Sequence, residues 1–476
     1  MGGTSSSNGA NPYTGIRLAE FHVENLFGDA KFCYTIPLKL EARVTAIIAP
    51  NGAGKTLCLR MIAGLFEKKW RVFAENIFSW VSYKFSDGTT IKIDQTITER
   101  PTPQSRRRPS FKLTVVDSSG IQLDIWEPSL ADPQRSDVQV ERYVPFVTRS
   151  GPDEWRHDST GEIYDLQELV ETFKDAFPEQ VRARAYGGTK MPEILTDITG
   201  QIDCHLIETQ RLLILRGDGP DPYYRHTRRP PSTLAIARKA QTLKDIISRD
   251  LNVYATLSQS LDRSFPKRVI QYTTPLPPED LKANLEELDR RRSELMGAGI
   301  LDTETDDPVA LPEGPLEEAI ARVLSVYVDD NKRKLSSLAD LLAKIKLFKE
   351  LIDQRFITKD VRITKQNGIE VAYGDHKVPI EGLSSGEQHQ LVLYFELLFE
   401  IKQNSLILID EPELSLHVAW QKKFIGDLMK IIDLNKFDVI LATHSPQLIG
   451  RWNSLVVELG DVYDGEDHEA VGDDGK

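Results

Sequence analysis

The chain has 476 residues, room for about three domains at roughly 150 residues each or for one domain with a large insertion, and enough to bury a sizeable core. With 40% hydrophobic and 28% charged residues and a mean hydropathy of −0.33 it is neither fibrous nor disordered as a whole, and no run approaches the ~20 apolar residues that span a bilayer. The net charge of −13 argues against a nucleic-acid coat, but seven acids and one base lie in Gly460 to Lys476, so this tail holds −6 and the body only −7.

Residues 1–15 are Gly-, Ser- and Asn-rich and read as a flexible leader without the apolar core of a secretion signal. Met1-Gly2 with Ser6 fits a myristoylation pattern loosely, and coincidence outweighs it. Cys33, Cys58 and Cys204 are too scattered for a disulfide framework or a zinc site, which suits a reducing, cytoplasmic setting.

From Ile16 three strand candidates follow: the alternating IRLAEFHVENL, then KFCYTIPL, then ARVTAIIA. The last is a continuous apolar run, as in a buried central strand. It enters Ala49-Pro50-Asn51-Gly52-Ala53-Gly54-Lys55-Thr56, which fits the phosphate-binding loop G-x-x-x-x-G-K-[ST] everywhere but its first position. An apolar helix, KTLCLRMIAGLF, leaves it and is expected to end near Gly64. Backbone N–H groups of Asn51 to Gly54 and the helix start would face phosphate, Lys55 would reach the β- and γ-phosphates, and Thr56 would offer a hydroxyl to Mg²⁺. The groups implied are the phosphates of a nucleotide and Mg²⁺.

Residues 77–126 alternate in short runs and predict an antiparallel β layer, whereas 127–200 yield no assignment. CHLIET is a strand leading to Gln210. Residues 233–264, 277–296 and 316–356 have helical periodicity and make a helical insertion. VRITKQNGIEVAYGDHKVPI, with a turn at Asn367-Gly368, predicts a β-hairpin returning to the core sheet.

Leu383-Ser384-Ser385-Gly386-Glu387-Gln388 opens a long apolar helix; a Ser/Gly turn at a helix start binds anions, although taken alone it is more often a simple N-cap. NSLILIDE is a buried strand that delivers Asp410 and Glu411 to its C-terminal end, the first for Mg²⁺ and the second to polarise the attacking water. VILATHS is a strand that ends in His444.

The order phosphate loop, LSSGEQ, ILIDEPE, ATHS resembles the ABC-type ATPases in every signature block. The resemblance implies that Ser384, Ser385, Gly386 and Glu387 close in trans on nucleotide held by another subunit. It also implies that His444 is a γ-phosphate switch, that Glu413-Leu414-Ser415-Leu416-His417 is a dimer-interface loop, and that Gln210 contacts metal and water. The Gln210 assignment rests on a single residue, which an ordinary structural role at a strand end also suits. As many as 332 residues separate Gly54 from Gly386, against 24 from Gly386 to Asp410 and 34 from Asp410 to His444, too long an insertion for a transporter subunit. IDEPELSLH, SSGEQHQLVLYFELLF and THSPQLI look like the RecF/OLD-like branch. SQSLDRSFPKRVI with IETQRLL resembles the stand-alone ATPases of Septu, retron-associated and PARIS anti-phage systems.

The expected fold is α/β: an ABC-type P-loop ATPase head with an antiparallel β layer and a large helical insertion. Its expected divisions are a leader (1–15), a first lobe with the β layer (16–215), the helical insertion (216–360), a second lobe with signature, acid pair and histidine (361–459), and a disordered acidic tail (460–476). The resemblance implies a Mg-dependent ATPase that forms a homodimer or higher homo-oligomer and governs a separate nuclease or toxin chain, with a phage protein or DNA as trigger and no membrane. No Toprim or HNH constellation is visible, so nuclease activity is expected from a partner. A RecF-like DNA-handling ATPase is the alternative. It would use Arg106–Arg108, then Arg225, Arg228 and Arg229, then Arg290–Arg292, although a solvated face explains such clusters more often.

Overall fold

A computed structural model describes residues 15–96, 110–128, 139–151, 154–158, 163–164, 166–173, 176–178, 181, 191–208, 231–302, 316–356, 358–374, 376–416 and 418–460. The chain divides into two compact units. One is built from residues 1–225, 402–425 and 436–476, the other from 226–401 and 426–435.

The first unit begins with β1 (Leu18–Glu24), β2 (Tyr34–Pro37) and β3 (Val44–Ile48), the three strands expected before the glycine turn. After the turn come α1 (Lys55–Phe66), α2 (Arg71–Glu75), β4 (Trp80–Phe85), β5 (Thr90–Thr96), β6 (Ser110–Val116) and β7 (Gln122–Trp126). Helix α1 runs two residues past Gly64 because that glycine serves packing, not termination: a Cβ there would lie 3.5 Å from both Val72 and Phe73. The antiparallel layer has the order β2-β1-β4-β5-β6-β7. Its alternation is visible in Phe21, Val23, Val81, Tyr83, Ile91, Ile93, Leu113 and Val115, all buried, while His22, Trp80 and Lys92 stack on its other face. The Tyr83 hydroxyl donates to Met61 O at 2.7 Å, which ties the layer to α1.

The stretch that gave no assignment contains β8 (Val147–Gly151), β9 (Glu154–His157), β10 (Ile163–Tyr164) and α3 (Leu166–Thr172) around the buried Trp155. Then come α4 (Glu193–Gly200) and β11 (Cys204–Glu208).

In the second unit, α5 (Pro231–Gln271) and α6 (Pro278–Gly297) match the first two predicted helices. The third is two helices, α7 (Glu318–Ser336) and α8 (Ala339–Asp353). The hydroxyls of Ser336 and Ser337 donate to Arg333 O and Lys334 O at 2.8 and 2.7 Å, competing for the carbonyls that would continue α7. β12 (Asp360–Thr364), β13 (Gly368–Tyr373) and β14 (His376–Val378) form a separate antiparallel sheet, so the hairpin does not return to the core sheet as the sequence suggested. The turn itself is where the sequence put it. Gly368, at φ +68°, leaves no room for a Cβ, which would meet Ala240 O at 1.9 Å. Helix α9 (Ser385–Phe395) passes into a π-turn at Glu396–Glu400, whose Leu397 and Leu398 carbonyls both accept from Asn435 Nδ2 at 2.8 Å.

β15 (Leu406–Asp410), α10 (Val418–Asn435), β16 (Asp438–Thr443), α11 (Pro446–Ile449) and β17 (Val456–Glu458) complete the chain. In the first unit the order β11-β15-β16-β3-β17 makes a five-stranded sheet, parallel throughout. Its central strands VTAII, LILID and DVILAT are apolar almost end to end, as a sheet covered on both faces requires. At the start of β16, Asp438 accepts from Arg17 Nε at 2.7 Å and Nη2 at 2.5 Å, with Arg43 at 3.5 Å. This charge-assisted fork pins the strand that ends in the predicted histidine.

Candidate active site

Parallel register sets the site. Ile48 pairs with Thr443, Ala442 with Asp410, and Asp410 with Glu208. The phosphate loop, His444 and Glu411 therefore all leave the sheet at its carboxyl edge, where open α/β sheets bind ligands.

In the loop, Asn51 and Gly52 are exposed and Ala53 is buried. Gly54 immediately precedes α1 at φ +91°, and a Cβ on it would meet Leu26 Cδ2 at 2.7 Å, so a glycine is required twice over. Lys55 is only 5% exposed, and its Nζ donates to Ala49 O at 2.8 Å and Pro50 O at 3.2 Å. Its ammonium is folded back over the loop it would share with phosphate. Thr56 Oγ1 donates to Asp410 Oδ2 at 2.8 Å, across 354 positions of sequence. A hydroxyl and a carboxylate brought together are hard oxygen donors that fit Mg²⁺, which takes its remaining ligands from water and substrate phosphates.

Glu411 follows Asp410 with a left-handed backbone (φ 44°, ψ 55°), and its N–H donates to Ala442 O at 2.8 Å. Such strain in a non-glycine residue is held only where the surroundings over-determine it. His444 Nδ1 lies 3.4 Å from Glu411 Oε1 and 3.4 Å from Glu413 Oε1. Thus Lys55, Thr56, Asp410, Glu411 and His444 share one edge of the first unit.

The signature residues belong to the second unit. Ser384 caps α9 in a reciprocal box: Glu387 N–H donates to Ser384 Oγ at 3.4 Å, and Ser384 N–H donates to Glu387 Oε2 at 2.8 Å. The Ser384 hydroxyl also reaches Glu387 Oε2 at 2.8 Å, and Lys359 Nζ reaches it at 2.7 Å. Burial pushes the Glu387 carboxyl up, but the bonds from Lys359 and Ser384 outweigh it and hold the group below its usual range. Ser385 and Gly386 form the first turn of the helix.

Gln210 and His417 lie outside the described residues, as do Arg106–Arg108, Arg225, Arg228 and Arg229. β11 ends at Glu208, two positions before Gln210. In the third basic cluster Arg290 and Arg291 pair with Glu287, and Arg292 bonds Asn331 Oδ1 at 2.7 Å. Arg292 also lies 3.7 Å from Asp289, so each guanidinium has an acid of its own helix beside it, as on a solvated face. Cys58 and Cys204 are buried and Cys33 is partly exposed; burial pushes the Cys58 thiol up to about 12.

At this edge Phe27 escaped the motifs, and Glu413, which the resemblance put in a dimer-interface loop, is bonded within its own chain. Phe27 is 47% exposed at φ 62°, with its ring 3.2 Å from where a Gly54 Cβ would stand, so it walls the phosphate loop. Glu413, in the loop after the acid pair, is 7% exposed and bonded to the histidine turn.

Residues 230–450 match a family model described as "AAA domain, putative AbiEii toxin, Type IV TA system". The match takes in the signature turn, the acid pair and the histidine, and begins after the phosphate loop. No curated protein matches the chain. Among solved structures, an Smc head domain with an extended coiled coil, bound to the C-terminal domain of ScpA, from Pyrococcus furiosus, is similar over 94% of each chain at 12% identity and a TM-score of 0.33. The SMC head domain from Thermotoga maritima is similar over 91% of each chain at 12% identity and a TM-score of 0.29. The phosphate loop between a parallel strand and its helix, together with the AAA-domain match, supports an ATPase of the AAA/ABC type on an α/β P-loop ATPase fold with an antiparallel β layer and many helices.

Proposed function

We propose that the chain is a Mg-dependent ABC-type ATPase that oligomerises by sandwiching ATP and governs a separate nuclease or toxin chain in anti-phage defence. The convergence of Lys55, Thr56, Asp410, Glu411 and His444 on one sheet edge carries the ATPase reading. The description of the matching family as a putative toxin of a Type IV toxin–antitoxin system supports a place for the chain in a system of that kind.

Phosphoryl transfer asks the protein for positioning and for charge stabilisation. The backbone of Asn51 to Gly54 and the start of α1 cradle the phosphates, and Lys55 exchanges its carbonyl partners for phosphate oxygens. Thr56 and Asp410 would hold Mg²⁺, which would supply positive charge to the bound phosphates. Glu411 accepts a proton from the attacking water and orients it. His444 meets the γ-phosphate, and Ser384, Ser385, Gly386 and Glu387 of a second copy close the nucleotide from outside. Gln210 is the further metal- and water-contacting residue of this reading.

Co-expression with the neighbouring genes, followed by mass measurement of the purified assembly, tests it. A multimer of this chain that retains a nuclease or toxin chain is the expected result. A monomer that binds DNA tightly and in a salt-sensitive way, with no retained partner, would contradict it.

A further inference from the structure

Glu413 is a buried acid whose bonds are concentrated on one short segment. Its Oε1 accepts from Thr443 Oγ1 at 2.7 Å and from the His444 N–H at 2.9 Å, and lies 3.4 Å from His444 Nδ1. Its main-chain carbonyl accepts from Gln421 Nε2 at 3.2 Å, and Gln421 Oε1 accepts from the Ser445 hydroxyl at 3.1 Å. Thr443, His444 and Ser445 are thus each tied to the turn that follows Glu411. Glu413 Oε2 is buried with no hydrogen-bond partner among the described residues. A desolvated carboxylate oxygen left without a donor opposes folding. Glu413 therefore holds the histidine turn despite its own burial.

We infer that Glu413 is a positioning residue for hydrolysis: it fixes the backbone and ring of His444 against Glu411. An imidazole whose Nδ1 faces two carboxylates has its proton favoured on that nitrogen and presents Nε2 to a ligand. Because Glu411 is itself strained at φ 44°, the bonds from Glu413 to the adjacent turn keep acid and histidine in one arrangement. This inference rests on the ATPase reading above.

The test compares wild type, Glu413→Ala, Glu413→Gln, Thr443→Val, His444→Ala and the Glu413→Ala/His444→Ala double variant. Steady-state ATP hydrolysis, binding of a fluorescent ATP analogue and thermal unfolding are measured for each. Glu413→Ala is expected to lower kcat about tenfold or more with KM and analogue affinity within about twofold, the pattern of a lost transition-state interaction. Glu413→Gln should recover most of the rate, because its amide oxygen still accepts from Thr443 and the His444 N–H. The double variant should be no slower than His444→Ala alone. If Glu413→Ala does not fold, Thr443→Val, which removes one of the same bonds, should still lower kcat at constant KM. Wild-type hydrolysis with undiminished kcat in Glu413→Ala, or in Thr443→Val where Glu413→Ala is unfolded, would overturn the inference, as would fully additive losses in the double variant. A wild type that does not hydrolyse ATP would bring down the ATPase reading as well.

Discussion

In the unit with the phosphate loop, Lys55 rests on two backbone carbonyls and Thr56 on Asp410, partners that phosphate and a cation can replace. In the unit with the signature turn, the Ser384 N–H and hydroxyl are taken by Glu387, which Lys359 also neutralises. Both units start a helix where an anion could sit. The difference is that one start is open to exchange, while the other is already satisfied by a carboxylate of its own chain. A cap that satisfies itself is stable without nucleotide, and a phosphate brought to it by another copy, as proposed above, would have to compete with Glu387 for the same donors. Helix starts alone therefore do not identify the primary phosphate site; the partners of their polar groups do.

The largest effect should come from Lys55→Ala, which removes the only side-chain cation described in the loop. Equilibrium titration with an ATP analogue should show binding lost, on the order of 100-fold or more, as expected when a charged partner of phosphate is removed; retained affinity would place the nucleotide elsewhere. Ser385→Arg in the other unit should do the opposite, leaving analogue binding by the monomer intact while blocking hydrolysis. Normal turnover in that variant would refute action in trans.

Stability should separate the units in another way. In the second unit Arg355 forms a buried pair with Asp427, and Tyr394 reaches the same carboxylate at 3.4 Å. Asp427→Ala leaves a guanidinium without its counter-charge in the interior and should destabilise by about 3–5 kcal/mol in denaturant unfolding. The smallest effect concerns pH. Because the Glu387 pKa is lowered in the fold, its stabilisation is complete above the ordinary glutamate value of ~4.3 and is lost as pH falls below the folded value. Glu387→Gln should remove that acid-dependent part of the unfolding curve, and an unchanged pH profile would mean that the cap contributes nothing measurable.

The sequence made the edge of the core sheet legible because the motifs there sit on regular elements. VTAII, LILID and DVILAT are too apolar to be anything but central strands, and their last residues fall at one edge wherever the strands are parallel. The β layer was legible through strict alternation. What stayed hidden depended on tertiary detail. The break between α7 and α8 is made by serine hydroxyls in a stretch of unbroken helical periodicity. The hairpin at Asn367-Gly368 has clear turn chemistry, but nothing local states which sheet it joins. Glu413 reads, through the resemblance, as the start of a dimer-interface loop, and its burial beneath the histidine turn is a tertiary detail that the motif does not carry.

The most direct test of the central claim, that one sheet edge of the first unit hydrolyses ATP, is a paired measurement of analogue binding and ATP turnover in Glu411→Gln. The account predicts unchanged binding with turnover reduced about 100-fold or more, the scale of a lost general base, and accumulation of the nucleotide-bound assembly. Turnover at the wild-type rate in Glu411→Gln would contradict it.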